Sequence, residues 1–402
     1  MSKPLEGVRV LEVAAWTFVP AAGAILADLG ADVIKVEPPT GDPQRGLKNM
    51  LNFETNGPNP FNEIPNRSKR SITLDLTNSL GRDLLLKIAA TSDVFLTSYL
   101  PSVREKLRLD VDDIRAVNPN IIYTCGSGWG SEGPMRNTGG YDLAAGWATS
   151  GLANRLAASS PTGTPPPQPP AFFDLQGGNT IAGAIAMALF KRERTGETSV
   201  VDVSLMNVGM WTMAADIVSA PYLSKPLIPV REEPGSPLTN WYKTADGRWI
   251  YLVLLQADRF WGELCGVMQR PDLVDDPRFR DMTVRNQNRR ECVQVMDEIF
   301  AAATLEEWTR RFVGFSGVWA PVIDVKEVHT HAQVGPNGFL PTVTGHDGVD
   351  FALVSAPMHF DGVPTAPSGP APELGQDTEL ILMEAGLDWD EISAARESGA
   401  LG

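Results

Sequence analysis

Residues 8–37 read VRVLEVAAWTFVPAAGAILADLGADVIKVE. Positions 8–13 form a short apolar run suited to a buried strand. Positions 21–29 are small and apolar and are closed by Gly30, as a helix would be, and 31–37 form a second strand-like run. Strand, helix and strand in so short a span make a βαβ unit, whose crossover connection requires parallel pairing. Glu37 ends the second strand, where dinucleotide folds place a ribose-binding acid. The turn after the first strand is Ala14-Ala15-Trp16-Thr17-Phe18-Val19-Pro20 and holds no G-x-G-x-x-G. The nicotinamide reading therefore fails on its most specific part, and Glu37 is read as structural.

The alternation continues outward. Residues 40–66 are polar and rich in Gly, Pro and Asn, and predict a long loop. The pentad Asn66-Arg67-Ser68-Lys69-Arg70 is the densest positive patch and precedes a strand beginning at Ser71. It is read either as a solvated face or as a phosphate contact, since Arg and Lys supply the donors that phosphate oxygens need. Helices are expected over 79–90 and 111–117, and strands over 93–97, 121–124 and 199–205. Strands alternating with helices in this way predict an α/β fold with a doubly wound, Rossmann-like parallel sheet. A glycine-rich turn, CGSGWGSEGP, leaves the strand at 121–124. Five prolines between 221 and 237 mark a linker, so the expected organisation is a large domain over 1–220, a linker over 221–239 and a smaller domain over 240–325.

With 402 residues the chain is long enough for two cores, and 43% hydrophobic with 21% charged residues is ordinary globular composition. A net charge of −15 argues against nucleic acid or an anionic membrane as the main partner. Cys125, Cys265 and Cys292 show no paired spacing, the N-terminus lacks signal-peptide character, and no apolar stretch reaches the length of a membrane span. A cytosolic protein is the expectation.

The stretch PPAFFDLQGGNTIAGAIAMALFKRER, 169–194, reads as a loop followed by a helix of mainly small apolar residues, with Asp174 where the helix begins. Unpaired N–H groups and the positive end of the helix dipole would hold a carboxylate there ionised. Gly177 and Gly178 permit another backbone or a ligand to approach closely. The bland alternative is that Asp174 is an N-cap. His329, His331, His346 and His359 are the four histidines; none completes a metal site or a triad, and neither G-x-S-x-G nor a P-loop lysine motif occurs. The candidate nucleophile is then a carboxylate.

Several segments together resemble the class III CoA-transferases, a family that also includes α-methylacyl-CoA racemases. They are LEGVRVLEVA, ADLGADVIKVEPP, NRSKRSITLDL, NPNIIYTCGSGWGSEGP, GYDLAAGWATSGL, FFDLQGGNTIAGAIAMAL, RTGETSVVDVSL and ADGRWIYL, colinear over nearly the whole chain. The resemblance implies an interlocked homodimer. Each subunit would have a large Rossmann-like domain built from both chain ends, with 326–402 returning to it, and a smaller α+β domain from the middle. It implies Asp174 as the catalytic aspartate, with coenzyme A and acyl-CoA as substrates rather than bound cofactors, a carboxylic acid as acceptor, and no metal. By the same match Trp16, Thr17, Leu74, Ser98, Lys106, Tyr141 and Asp142 lie at CoA contacts. Arg70, with Arg67 and Lys69, is added on charge alone as a phosphate contact. Thr97-Ser98-Tyr99-Leu100-Pro101-Ser102 replaces the family's usual E-N-F-R-P-G, and no poly-glycine loop occurs around Pro234-Gly235-Ser236-Pro237, which argues against oxalate as acceptor. Racemases carry G-H-D where this chain has Gly140-Tyr141-Asp142, and tyrosine is a poor proton shuttle at neutral pH. The reading is a CoA-transferase, with a racemase and a CoA-binding protein without turnover as alternatives.

Overall fold

The structure is a computed structural model and describes residues 3–160, 162–224 and 230–402. Six strands form one sheet: β1 (Arg9–Val13), β2 (Asp32–Glu37), β3 (Arg70–Thr73), β4 (Val94–Thr97), β5 (Ile122–Ser127) and β6 (Val200–Ser204). Their order is β3-β2-β1-β4-β5-β6 and every neighbouring pair is parallel. Strands β1 to β5 are short and largely buried because both sheet faces are covered. Successive residues serve opposite faces: Val10 and Val94 join one buried cluster, Leu11 and Phe95 the other. Helix α1 (Phe18–Asp28) and the long helix α2 (Phe172–Thr195) pack on the first face.

The chain divides into two compact units, one of Met1–Asn154, Pro166–Tyr222 and Ala332–Gly402, the other of Arg155–Pro165 and Leu223–His331. In the first unit the tail docks on the outer strand of the sheet. Asp377 accepts the Ser71 N–H at 2.9 Å and donates its own N–H to the Ser71 carbonyl, while Asp75 N–H reaches the Ala400 carbonyl at 2.9 Å. In the second unit β7 (Thr239–Lys243), β8 (Trp249–Val253) and β9 (Trp319–Val322) form an antiparallel sheet. Its core is aromatic, and the buried polar tips are satisfied: Trp308 Nε1 donates to the Phe300 carbonyl and Tyr242 Oη to that of Pro237. The molecule is thus a mixed α/β protein with one parallel and separate antiparallel sheets. Among the described residues no helix is long and apolar enough to cross a membrane.

Differences from the sequence reading are local. The stretch 40–66 is not a plain loop. It contains a 3₁₀ turn (Pro43–Gly46) and helices at Leu47–Met50 and Pro60–Asn66, the last capped by the Asn59 side chain with proline in its first turn. In the smaller unit, Trp319–Val322 completes the sheet against β8. Two helices there, Met282–Gln287 and Arg289–Phe300, and the small hairpins between 342 and 364 were not anticipated.

The basic pentad also resolves differently. Lys69 is buried and its Nζ lies 2.7 Å from Glu12 Oε2 and 2.8 Å from the Pro20 carbonyl. Arg67 is buried against Asp28, and Arg70 binds Asp32 at 2.7 Å and Glu384 at 2.9 Å. These cations already have carboxylate partners, so the phosphate contact expected of Arg67, Lys69 and Arg70 is not what the fold uses them for. Lys35 extends the network, with Nζ 2.8 Å from Asp42 and 3.3 Å from Glu12. Burial opposes its charge, but Asp42, Glu12 and Glu37 outweigh that and raise its pKa. Glu37, also buried, binds Arg45 at 2.6 Å and accepts from Ser71 Oγ at 2.8 Å; it is structural. Replacing Lys35 with methionine strands Glu12 and Asp42 without their shared cation. Lys35→Met is expected to cost about 3–5 kcal/mol in urea denaturation, with the loss read as a lower midpoint.

Candidate active site

The strand order reverses direction at β1, between β2 and β4, so the connections leaving the carboxyl ends of β1 and β4 open a crevice, the usual ligand position in such sheets. The two connections are tied together: Ala15 N–H donates to Ser98 Oγ at 3.1 Å. Trp16 follows in the left-handed region (φ 67°), uncommon for a bulky residue, and its N–H is held by Asp42 Oδ1 at 3.2 Å. Its ring meets Tyr141 edge to face at 5.4 Å. Thr17 is buried, and its hydroxyl oxygen accepts the Gln44 side-chain amide at 2.5 Å.

Helix α2 delivers Asp174 beside this crevice. The residue that caps the helix is Ala171, itself left-handed at φ 57° and without a side-chain cap. Asp174 is the third helical residue, so the N-cap reading does not hold. Gly177 and Gly178 are also accounted for. A Cβ on Gly177 would lie 2.2 Å from the Phe18 ring, and one on Gly178 2.7 Å from Ala21 Cβ. The glycine pair therefore seats α1 against α2; it does not open the helix to a ligand.

Asp142 opens a π-helical turn (Asp142–Ala148) and is nearly buried. Its carboxylate accepts from the Gln168 amide and faces the backbone N–H groups of Leu143, Phe173 and Asp174. The first-turn amides of α2 are thus directed at Asp142. Asp174 is left with no side-chain donor among the described residues. Burial, and then the charge of Asp142, push its pKa up to about 8. The sequence expectation of a carboxylate held ionised by the helix terminus is reversed for this physical reason.

Next to Asp174 in sequence, Ala171 and Leu175 help line a cavity of about 200 Å³ with Thr17, Gln44, Phe53, Phe61, Ile64 and three prolines. The lining contains no cation. Trp16, Thr17, Ser98, Tyr141 and Asp142 are connected to this crevice, as described. Leu74 is fully buried and offers no side-chain surface to a ligand, while Lys106 stands exposed on the short helix Pro101–Leu107. Three other tryptophans are placed elsewhere: Trp147 is in the core, Trp129 donates to the Gly139 carbonyl, and Trp241 belongs to the smaller unit's sheet. Gln44, Phe53 and Phe61 were missed because they sit in the stretch read as loop. The Asn59-Pro60 helix start was the signal that could have placed Phe61. Among the described residues no three His, Cys, Asp or Glu side chains converge as a metal site would require.

The profile of CoA-transferase family III matches residues 5–378 of this chain. The chain belongs to CoA-transferase family III. This transferase is 30% identical over 397 residues to the (R)-2-hydroxy-4-methylpentanoate CoA-transferase of Clostridioides difficile, covering 98% of each chain. It is 33% identical to the succinyl-CoA:glutarate CoA-transferase of Mus musculus, covering 97% of this chain and 88% of that one. Its fold is similar to the crystal structure of Rv3272 from Mycobacterium tuberculosis, with a TM-score of 0.81 and 29% identity over 94% of this chain and 99% of that one.

Two outcomes follow from the pairing of the two acids in the transferase. Asp142→Asn keeps an oxygen for the amides but removes the charge, so the Asp174 titration, read by carboxyl carbon NMR, is expected to shift to lower pH by about one unit. The folded-state pKa of Asp174 lies above its ordinary 3.8, so the protein loses stability as pH rises from there towards about 8. Asp174→Asn escapes that loss, and its melting temperature is expected to exceed the wild type's by a margin that widens across the same window.

Proposed function

We propose that the chain transfers CoA from an acyl-CoA to a carboxylic acid, with Asp174 as nucleophile. The observation that carries this reading is a poorly solvated carboxylate without a side-chain donor, beside an apolar cavity at the crevice of the parallel sheet. A carboxylate stripped of hydrogen bonds and water is more basic and more nucleophilic than a solvated one. An Asp174 oxygen attacks the thioester carbonyl; the C–S bond breaks, leaving a mixed anhydride and CoA thiolate. The thiolate then attacks the Asp174 carbonyl carbon, releases the first acid as its carboxylate, and forms an aspartyl-CoA thioester. The acceptor carboxylate attacks that thioester, giving a second anhydride and thiolate. Attack of the thiolate on the acceptor's acyl carbon forms the new acyl-CoA and restores the Asp174 carboxylate.

Each intermediate keeps the thioester's free energy only while water is absent, and the apolar lining supports that exclusion. Trp16, Thr17, Ser98, Tyr141 and Asp142 are proposed to face the CoA, with Lys106 and the Leu74 backbone further along it. Asp142 is a positioning residue: it holds the first turn of α2, and its charge makes the Asp174 carboxylate more basic. The interlocked homodimer belongs to the same proposal, on the resemblance alone.

Incubation with an acyl-CoA and hydroxylamine is expected to leave one hydroxamate, on Asp174, found by peptide mass spectrometry. Adduct formation should rise with pH towards about 8, since only the ionised acid attacks. Asp174→Ala is expected to lose transfer while keeping its circular dichroism spectrum. Full transfer by that variant would end the proposal.

A further inference from the structure

The cavity next to Asp174 does not stand alone. A second, of about 210 Å³, adjoins it, and Ile64 and Leu175 line both. Helix register sets the two end to end. On α2, Ala171 and Leu175 face the first cavity while Leu175 and Asn179 face the second, successive steps along one helix face. On α1, the capping residue Thr17 lines the first, and Ala21 and Ile25, on the same face, line the second. Each such step of four residues advances about 6 Å. The helices therefore frame one trough that runs away from the crevice, and Leu175 and Ile64 stand where its two chambers meet.

We infer that Leu175 and Ile64 set the length of the acyl chain this transferase accepts. This inference rests on the transferase reading and names what limits its donor. An acyl chain carried by Asp174 extends into the first chamber and meets the pair at its end. Leu175 directly follows Asp174 on the same helix, so the barrier keeps a constant distance from the carboxylate that takes up the acyl group. Up to the barrier, each further methylene is buried against apolar walls and raises kcat/KM by about fourfold. Beyond it, the chain has to displace two branched side chains, and overfilled packing is destabilising. The far chamber is nevertheless suited to hydrocarbon. Val354, Ala356 and Pro357 wall it, and the Arg67 that reaches it is already bound to Asp28 at 2.8 Å.

The test is isotope exchange between a straight-chain acyl-CoA and its own carbon-13-labelled acid, run from acetyl-CoA to dodecanoyl-CoA. In the wild type kcat/KM is expected to rise to a best length and then to fall by about tenfold or more within about four carbons. Leu175→Ala joins the chambers, and its best length is expected to be greater by about two carbons or more. Ile64→Ala is expected to move it in the same direction, and Leu175→Trp to shorten it. Adding Val354→Trp to Leu175→Ala fills the far chamber and is expected to cancel the gain. A wild-type profile that stays flat or still rises at dodecanoyl-CoA, a measurement that needs no variant, would overturn the assignment and leave the transferase reading standing. A best length unmoved in folded Leu175→Ala and Ile64→Ala, or a gain that survives Val354→Trp, would overturn it equally. Absence of exchange with every compound would overturn the transferase reading itself, and this assignment with it.

Discussion

A buried set of charges at the carboxyl ends of β1 and β2 decides where everything around the site can be. Glu12, Glu37 and Asp42 supply three acids; Lys35, Lys69 and Arg45 supply three bases, and none of the acids reaches solvent appreciably. Such a network is stable only when complete, because each member would otherwise be an uncompensated charge. Completeness fixes geometry. Asp42 can face Lys35 only with its loop folded back over the strand ends, and there its other oxygen holds the Trp16 and Gln44 amides. Gly23 shows how tightly the set is enclosed: a Cβ there would lie 1.9 Å from Glu12 Oε2.

The candidate active site is arranged in the opposite sense. Trp16 and Ala171 both occupy left-handed backbone without being glycine, and Asp174 lacks the partners that every acid in the buried set possesses. Local strain and an under-satisfied carboxylate persist because the packing of α1 on α2 through Gly177 and Gly178 leaves that turn nowhere else to go. Rigidity below and dissatisfaction above is a division of labour expected of a site that must hold an acid at a high energy level.

The sheet was legible in the sequence because its strands are apolar runs with a period the eye can follow, and because parallel pairing leaves few topologies. Asp174 was legible as a position but not as a chemical state. The amides that should have stabilised its charge are taken by Asp142, a residue more than thirty positions earlier, and no local pattern announces that. The pentad at Asn66–Arg70 misled for a related reason: charge density can be seen in a sequence, whereas partners on Glu12, Asp28, Asp32 and Glu384 cannot. The 40–66 stretch hid its cavity wall because short helices rich in proline and asparagine carry the composition of loops.

The segment that docks on β3 guards one edge of the sheet. Asp377 and Thr378 take up the Ser71 and Thr73 amides, and Ala400 takes up that of Asp75. Whenever that segment is undocked, β3 presents an open margin able to zip onto a neighbouring chain. Residues 377–400 therefore act as a clasp against clumping, and any change that loosens them exposes the molecule to it.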